Sequence, residues 1–563
     1  MKSLTGLDAT FLYLETPEMP MHVGSLNLCE LPAGFKGSFH KAVTAHIASR
    51  MHLAPVFSRK LVFMPFDLGH PLWVEAESVD IGFHIRRADP AKKASAPMTL
   101  AAVHKLCAQL HGELIDRNFP LWEFYIFDRI QLPDGKVVAG FFSKIHHAAL
   151  DGKGGVMLAN AMLDMGPVPR EVAPPDPARR RKLESDLKLG KMIGSVFSSS
   201  LGQLAKLAKT LPSAASTLGS TLARQTTASA ASGTRPKMPM KLAPATPFNT
   251  GITSDRVFVT ATLPLAECKA MGKAVGGSFN DMVLWICSTA LRNYLTQHHS
   301  LPKKSLVAAM PVSLREAGAS DAANLGNQVS MSLVELGTHL AHPLKRMNAI
   351  MASTGKVKTS MQSLKSLLPT DYPSLLAPWL VGGAAKLALN AYGKSGMASR
   401  LPMVANLAIS NVPGPPVPLF LAGAKFLTFH PLSIVMHGLA LNITIQTYAG
   451  HVDFGIIAGK KALPHAQDLA RAIEEAFVEA QGLLGAVPVP AASAAPVKTP
   501  KRAVTSGTSL GKSPSVKQTG RPKIASIRNP IKKSNAPNHG TTPSKAGTAK
   551  AKPKTGSARR TAA

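Results

Sequence analysis

Cysteine is scarce in this sequence: Cys29, Cys107, Cys268 and Cys287 are the only four in 563 residues. They show neither the C-x-x-C spacing of a zinc site nor the density of a secreted disulfide scaffold, so a reducing, cytoplasmic setting is expected. The opening MKSLTGLDATFLYLET lacks the apolar core and cleavage site of a signal peptide and reads as mature protein. No run reaches the roughly 18 uncharged apolar residues that a membrane span needs. The nearest, Leu375 to Leu389, is short and interrupted by Gly382, Gly383 and Lys386. Any meeting with lipid is therefore expected to be peripheral, at an inner membrane surface or a lipid inclusion.

Acidic residues are also few, 32 against 64 Lys and Arg, which gives a formal charge of +32. Half of that excess lies between Ala491 and Ala563, where 11 Lys and 5 Arg occur without one Asp or Glu. The same stretch has no Phe, Trp or Tyr for base stacking, which argues against sequence-specific nucleic-acid recognition and leaves non-specific polyanion contact. Elsewhere the remaining positive charge favours a phospholipid surface or a phosphate-bearing partner.

What is abundant is apolar: hydrophobic residues make up 45% and charged residues 17%, enough for a substantial core. The length exceeds what one core usually holds, so two globular units are expected. Residues 1–166 form the first, with a strand from Lys136 to Ile145 and a helix from Val156 to Leu163. Residues 167–246 read as a linker rich in Pro, Ser, Ala and Lys. It carries the basic cluster Arg179 to Lys182 and an amphipathic helix, Leu189 to Leu207, fit for a membrane interface or for the protein's own surface. Residues 247–485 form the second unit, with strands at Val257–Leu263, Leu306–Val312, Gln328–Leu333 and Leu439–Tyr448 and a helix at Asp281–Leu295. Alternating strands and helices point to α/β architecture in each unit. Residues 486–563 cannot repay the entropy of ordering and are expected to be disordered.

The chemistry concentrates where the first strand ends, in His146-His147-Ala-Ala-Leu-Asp151-Gly152, an HHxxxDG pattern. Successive side chains of an extended chain point to opposite sides, so at most one of the two imidazoles faces a given cavity. A free imidazole suits the abstraction of a proton from a hydroxyl or thiol at neutral pH. Asp151 precedes a helix start, where a carboxylate caps backbone amides. The two histidines also fit an ordinary turn. A metal site is the weaker reading, since no third and fourth ligand stand at recognisable spacing, and the GKGG that follows lacks P-loop spacing.

The wider constellation resembles the bacterial wax ester synthase/diacylglycerol acyltransferase family across nearly all of residues 1–485. Carrying the resemblance are PMHVG at Pro20–Gly24, DRNFPLWE at Asp116–Glu123 and SKIHHAALDGKGG at Ser143–Gly155. The second half adds PATPFN at Pro244–Asn249, FNDMV at Phe279–Val283, PVSLR at Pro311–Arg315, Gly326-Asn327 and SNVPGP at Ser410–Pro415. HHxxxDG alone is shared with chloramphenicol acetyltransferase, carnitine acyltransferases and condensation domains; the whole set in this order is far more specific.

The resemblance implies two chloramphenicol-acetyltransferase-like subdomains with an active-site tunnel at their interface. It implies transfer of a long-chain acyl group from acyl-CoA, as co-substrate, to diacylglycerol or a long-chain alcohol, with no bound cofactor. His147 is the expected general base, His146 and Asp151 hold its loop, and Gly152, Asn280 and Asp281 support the site. Asn280 is a candidate oxyanion donor, Arg315 a candidate partner of Asp151. Without the resemblance, Asn280 and Asp281 read as helix caps, and Pro120–Glu123 as the end of a helix burying Trp122. Rival readings are a carrier-protein-dependent transferase of the condensation type and a non-catalytic inclusion or polyanion-binding protein.

Overall fold

Thr5 starts the first helix by accepting a hydrogen bond from the Asp8 amide at 3.2 Å, which satisfies one of the donors a helix start leaves open. In the computed structural model this helix is α1 (Gly6–Leu14), and the residues described are 2–63, 70–88, 96–150, 152–175, 242–313, 329–364 and 403–484. The linker helix at 189–207, the cluster at 179–182, the apolar run at 375–389, Asp151, Arg315, Gly326, Asn327 and the tail lie outside them.

After α1 come β1 (His22–Glu30), α2 (Leu100–Gly112), β2 (Trp122–Gln131), β3 (Val137–His146) and α3 (Gly152–Met162). Every residue of β3 except Val137 is buried, which is why its sequence reads as an unbroken apolar run rather than an alternating one. Trp122, Phe124, Phe141 and Ile145 pack on one face of the sheet. Tyr125, Phe127 and Phe142 pack on the other against Val103 and Cys107 of α2. Each such side chain, taken fully out of water, contributes roughly 1.5–3 kcal/mol before entropy is counted.

Contrary to the helical expectation for Pro120–Glu123, Trp122 and Glu123 open strand β2. Trp122 is buried as expected, and its indole N–H donates to the Phe57 carbonyl at 3.1 Å. Glu123 stands opposite Lys144 across the β2–β3 ladder, and their charged ends meet at 2.9 Å under α2. Lys144 also donates to the Leu110 carbonyl, so neither buried charge is left unpaired.

The second half has β4 (Arg256–Pro264), α4 (Phe279–Gln297), β5 (Val307–Ser313), β6 (Val329–Glu335), α5 (Pro343–Leu364) and β7 (Leu407–Val412). There follow β8 (Phe420–Leu421), β9 (Ala424–Phe426), β10 (His430–Leu432), β11 (Leu441–Tyr448), β12 (His451–Gly459) and α6 (Ala466–Leu484). Its sheet runs β6-β5-β7-β11-β12-β4, parallel at β5·β7 and β7·β11 and antiparallel elsewhere. Leu284, Ile286 and Leu291 of α4 and Leu469 and Ile473 of α6 meet Ile409, Ile443, Phe454 and Ile456 in its core.

The halves are knitted together. Strands β8, β9 and β10 leave the second half and extend the sheet of the first, Phe426 pairing with Cys29 and Leu432 with Gly24 on β1. On the other side α2 lies against β4, and one apolar cluster joins Val103 and Cys107 to Phe258 and Ile457. Among the described residues no helix is long and apolar enough to cross a membrane.

The glycine of PMHVG has a packing reason. A Cβ on Gly24 would stand 1.8 Å from the Ser143 carbonyl oxygen of β3, so the two strands approach as only glycine allows. Gly24→Ala is expected to lower stability by about 1–3 kcal/mol through strand displacement. Urea denaturation checks this, and an unchanged midpoint would refute it.

Candidate active site

The chain turns sharply where β3 ends. His146 is the last strand residue, His147 to Ala149 form one turn of 3-10 helix, and α3 begins at Gly152. The two imidazoles part at this turn. His146 is wholly buried, while His147 keeps part of its surface open.

His146 is held at both ring nitrogens. Its Nδ1 accepts the Ala148 amide at 3.1 Å, which puts the ring proton on Nε2. That nitrogen stands 3.1 Å from Oε2 of Glu15, in a bent contact that is mainly electrostatic. With one nitrogen accepting and the other facing a carboxylate, this ring has no lone pair to offer a substrate.

Glu15 follows the last turn of α1 and gathers the surroundings onto one carboxylate. Oε2 accepts the Met21 amide at 2.9 Å, and Oε1 accepts Nη2 and Nε of Arg117 at 2.7 and 3.1 Å. Burial alone pushes its pKa up. The bond and charge of His146, the Arg117 guanidinium and the Met21 amide outweigh that and hold it down at about 2. Glu15 is thus an ionised, almost fully buried hub.

Met21 carries the arrangement to the second histidine, since its carbonyl accepts the His147 amide at 2.8 Å. The His147 ring lies flat on Phe11, centroids 3.9 Å apart and planes inclined by 15°. Burial lowers the ring's pKa to about 4; the nearness of its own backbone carbonyl raises it and His146 lowers it further. Nδ1 is buried with no hydrogen-bond partner. With Nδ1 buried, only Nε2 is left for an outside group to meet. Such a ring is uncharged at neutral pH.

The structure does not bring every expected residue to this turn. Asp151 and Arg315 lie outside the described residues, and Gly152 opens α3. Asn280 and Asp281 sit at the start of α4, where the cap is Ser278 rather than either of them. Asp281 completes a capping box with Ser278 and accepts Thr354 Oγ1 at 2.7 Å, which spends its carboxylate on structure. Asn280 accepts the Asn411 side-chain amide on Oδ1 at 3.3 Å. Among the described residues, neither shares a hydrogen bond, ion pair or ring contact with His146 or His147. Nor do three His, Cys, Asp or Glu side chains converge there as metal ligands. A groove of about 740 Å³ between α2 and β4 has Lys105, Arg256 and Lys460 on its walls, but not the two histidines.

Phe11, Glu15 and Arg117 went unnoticed in the sequence. Phe11 and Glu15 are four residues apart, one turn along a helix, so α1 and its cap reach both histidines together. A glutamate ending the apolar stretch FLYLE was the one local signal. Its pairing with Arg117, 102 residues away, has none.

Replacing the hub should be visible in pH-dependent stability. The folded pKa of Glu15 lies below its ordinary 4.5, so its contribution is full above pH 4.5 and fades as pH falls toward 2. Glu15→Gln is expected to cost about 3 kcal/mol at pH 7. Denaturation of both proteins over pH 7 to 2.5 should show the gap narrowing below pH 4.5, and a gap independent of pH would overturn the assignment.

Comparison with known proteins identifies the family. The catalytic-domain model of the wax ester synthase/diacylglycerol acyltransferase family matches residues 4–283, and the WS/DGAT C-terminal domain model matches residues 325–481. A protein of Mycobacterium tuberculosis (strain ATCC 25618 / H37Rv) named as a diacylglycerol O-acyltransferase is 32% identical over 488 residues, 86% of this chain and 100% of that one. The O-acyltransferase WSD of Acinetobacter baylyi is 32% identical over 488 residues, 86% and 98% of the two chains. Among solved structures, the wax ester synthase/diacylglycerol acyltransferase from Marinobacter aquaeolei VT8 superposes with a TM-score of 0.60 at 27% identity, covering 86% of this chain and 100% of that one.

Proposed function

Because the chain belongs to the wax ester synthase/diacylglycerol acyltransferase family and is an acyltransferase, we propose that His147 is the general base for acyl transfer from acyl-CoA to diacylglycerol or a long-chain alcohol. The observation that carries this reading is the contrast between the two rings. His146 has both nitrogens engaged, whereas His147 is partly open, with its buried Nδ1 unpartnered and Nε2 in no hydrogen bond.

In the proposed reaction His147 Nε2 takes the hydroxyl proton as the alcohol oxygen bonds to the thioester carbonyl carbon, giving a tetrahedral oxyanion and an imidazolium. The carbon–sulfur bond then breaks, and the departing CoA thiolate takes the proton back from His147. Ester and free CoA result, with the base regenerated. The thioester is already activated, so both substrates react in one ternary complex without an acyl-enzyme. Asn280 is the proposed oxyanion donor: Asn411 occupies its Oδ1, and among the described residues its Nδ2 donor is uncommitted.

The base assignment predicts a fall in kcat of about 10²–10⁴-fold for His147→Ala, read from the release of CoA thiol. Near-normal turnover by the folded variant would end the proposal. A base held near a pKa of 4 also predicts an acid limb of kcat/KM near pH 4, well below the ordinary imidazole range. Protonation below that pH removes the acceptor, so the rate falls with falling pH and is flat above it.

The basic tail supports peripheral attachment to an anionic lipid surface, by the charge of its 11 Lys and 5 Arg. Truncation after Leu484 should spare acyl transfer to detergent-dispersed substrate and weaken salt-sensitive binding to phosphatidylglycerol vesicles. Sedimentation of vesicles at 50 and 300 mM salt checks this, and undiminished binding would assign attachment to another part of the chain.

A further inference from the structure

General-base catalysis turns the neutral His147 ring into a cation for the life of the tetrahedral intermediate, inside a site that disfavours charge. The burial that lowers its pKa to about 4 measures that penalty. In many enzymes a carboxylate against Nδ1 offsets it. Here, among the described residues, no carboxylate forms an ion pair with His147, and its buried Nδ1 has no hydrogen-bond partner. The nearest acid in the network, Glu15, is spent on His146, Met21 and Arg117.

One group does lie against the ring. Phe11 projects from α1 and stacks its face on the imidazole with centroids 3.9 Å apart, nearly parallel at 15°. α1 is fixed at its start by the Thr5 cap and at its end by the bonds of Glu15, so Phe11 is carried on an anchored element. The negative face of a benzene ring attracts a cation within about 6 Å, and more strongly where water is excluded. It also bars rotation of the imidazole about its Cβ–Cγ bond, which keeps Nε2 aimed in one direction.

We propose that Phe11 is a positioning residue for the acyl-transfer reaction: it locks the plane of His147 and supplies the π face against which the transient imidazolium is stabilised. This rests on the reading of His147 as the base. Toward the neutral resting ring Phe11 contributes packing and a fixed plane alone. Its effect belongs to the step in which charge appears, so it should act on kcat and leave substrate affinity almost untouched.

The sign of the pH effect follows. Of the titratable groups around the ring, His146 acts on it directly, Glu15 and Arg117 lie beyond His146, and Asp8 of α1 is tied to Thr5. Removing the π face while keeping the apolar bulk withdraws a contact that favours the cation. The acid limb of kcat should then move to lower pH.

The test uses Phe11→Leu, which keeps bulk without a π face, and Phe11→Tyr, which keeps the face. Both are assayed as full chains with palmitoyl-CoA and hexadecanol, normalised to folded protein by circular dichroism. The expected result is a kcat reduced about tenfold in Phe11→Leu with KM for acyl-CoA unchanged within twofold. Phe11→Tyr should stay within about threefold of the parent. The Phe11→Leu loss should vanish when the change is made in a His147→Ala background, because the two residues act as one unit. An unchanged kcat and acid limb in Phe11→Leu, or an equal further loss in the His147→Ala background, would overturn the proposal. If His147→Ala itself retains near-normal turnover, the base assignment has failed and Phe11 falls with it. An inactive His147→Ala beside a fully active Phe11→Leu removes only the role given to Phe11.

Discussion

One buried carboxylate fixes the position of everything else at this site. Glu15 sits with its charge inside the protein, a condition that burial alone would not tolerate, and it stays ionised because an arginine, a histidine and a backbone amide converge on it. Each partner belongs to a different stretch of chain. Arg117 precedes β2, His146 ends β3, and Met21 leads into β1. The grip on Met21 matters most for chemistry, since the carbonyl of that residue holds the His147 amide. A shift of the carboxylate would reach His147 through one residue of backbone.

That arrangement depends on a sheet whose strands are held unusually close. β1 and β3 approach at Gly24 nearer than any side chain permits, and their register sets His22 opposite His146. On the far side β1 is paired by β9 and β10 from the second half, so the strand beside the His146-His147 turn is clamped by both halves of the chain. This gives a physical reason for motifs of the second half to accompany HHxxxDG. They fold the unit whose crossing strands complete the first sheet, quite apart from any contact with substrate.

Much of this was legible before the structure. The strand expected at Lys136–Ile145 is Val137–His146, and those expected at Val257–Leu263 and Leu306–Val312 are Arg256–Pro264 and Val307–Ser313. Buried strands announce themselves by continuous apolar runs, and a long amphipathic helix by its period, so these elements were within reach. β2 was not, because Pro120 and Trp122 read as a helix end while the run that follows mixes Glu123, Asp128 and Arg129 into its aromatics. The charge of Glu123 makes sense only with Lys144 opposite it, and pairing across strands is not written in either segment. Asp281, expected both as a support of the site and as part of a helix cap, is the acid of the capping box with Ser278 three residues earlier. The Glu15 hub was the least readable of all, being assembled from residues whose only relation is spatial.

The paired histidines illustrate why one sequence motif carries two different physical roles. The two rings are identical in composition. They differ in what meets Nδ1. In His146 a backbone amide takes that lone pair, which drives the proton to Nε2 and toward Glu15. In His147 the same atom is buried without a hydrogen-bond partner, and the ring is partly open. The first ring is fixed as part of the wall, and the second is left uncommitted. Burial lowers its pKa to about 4, so the ring stays unprotonated at neutral pH, and Phe11 stacks on its face.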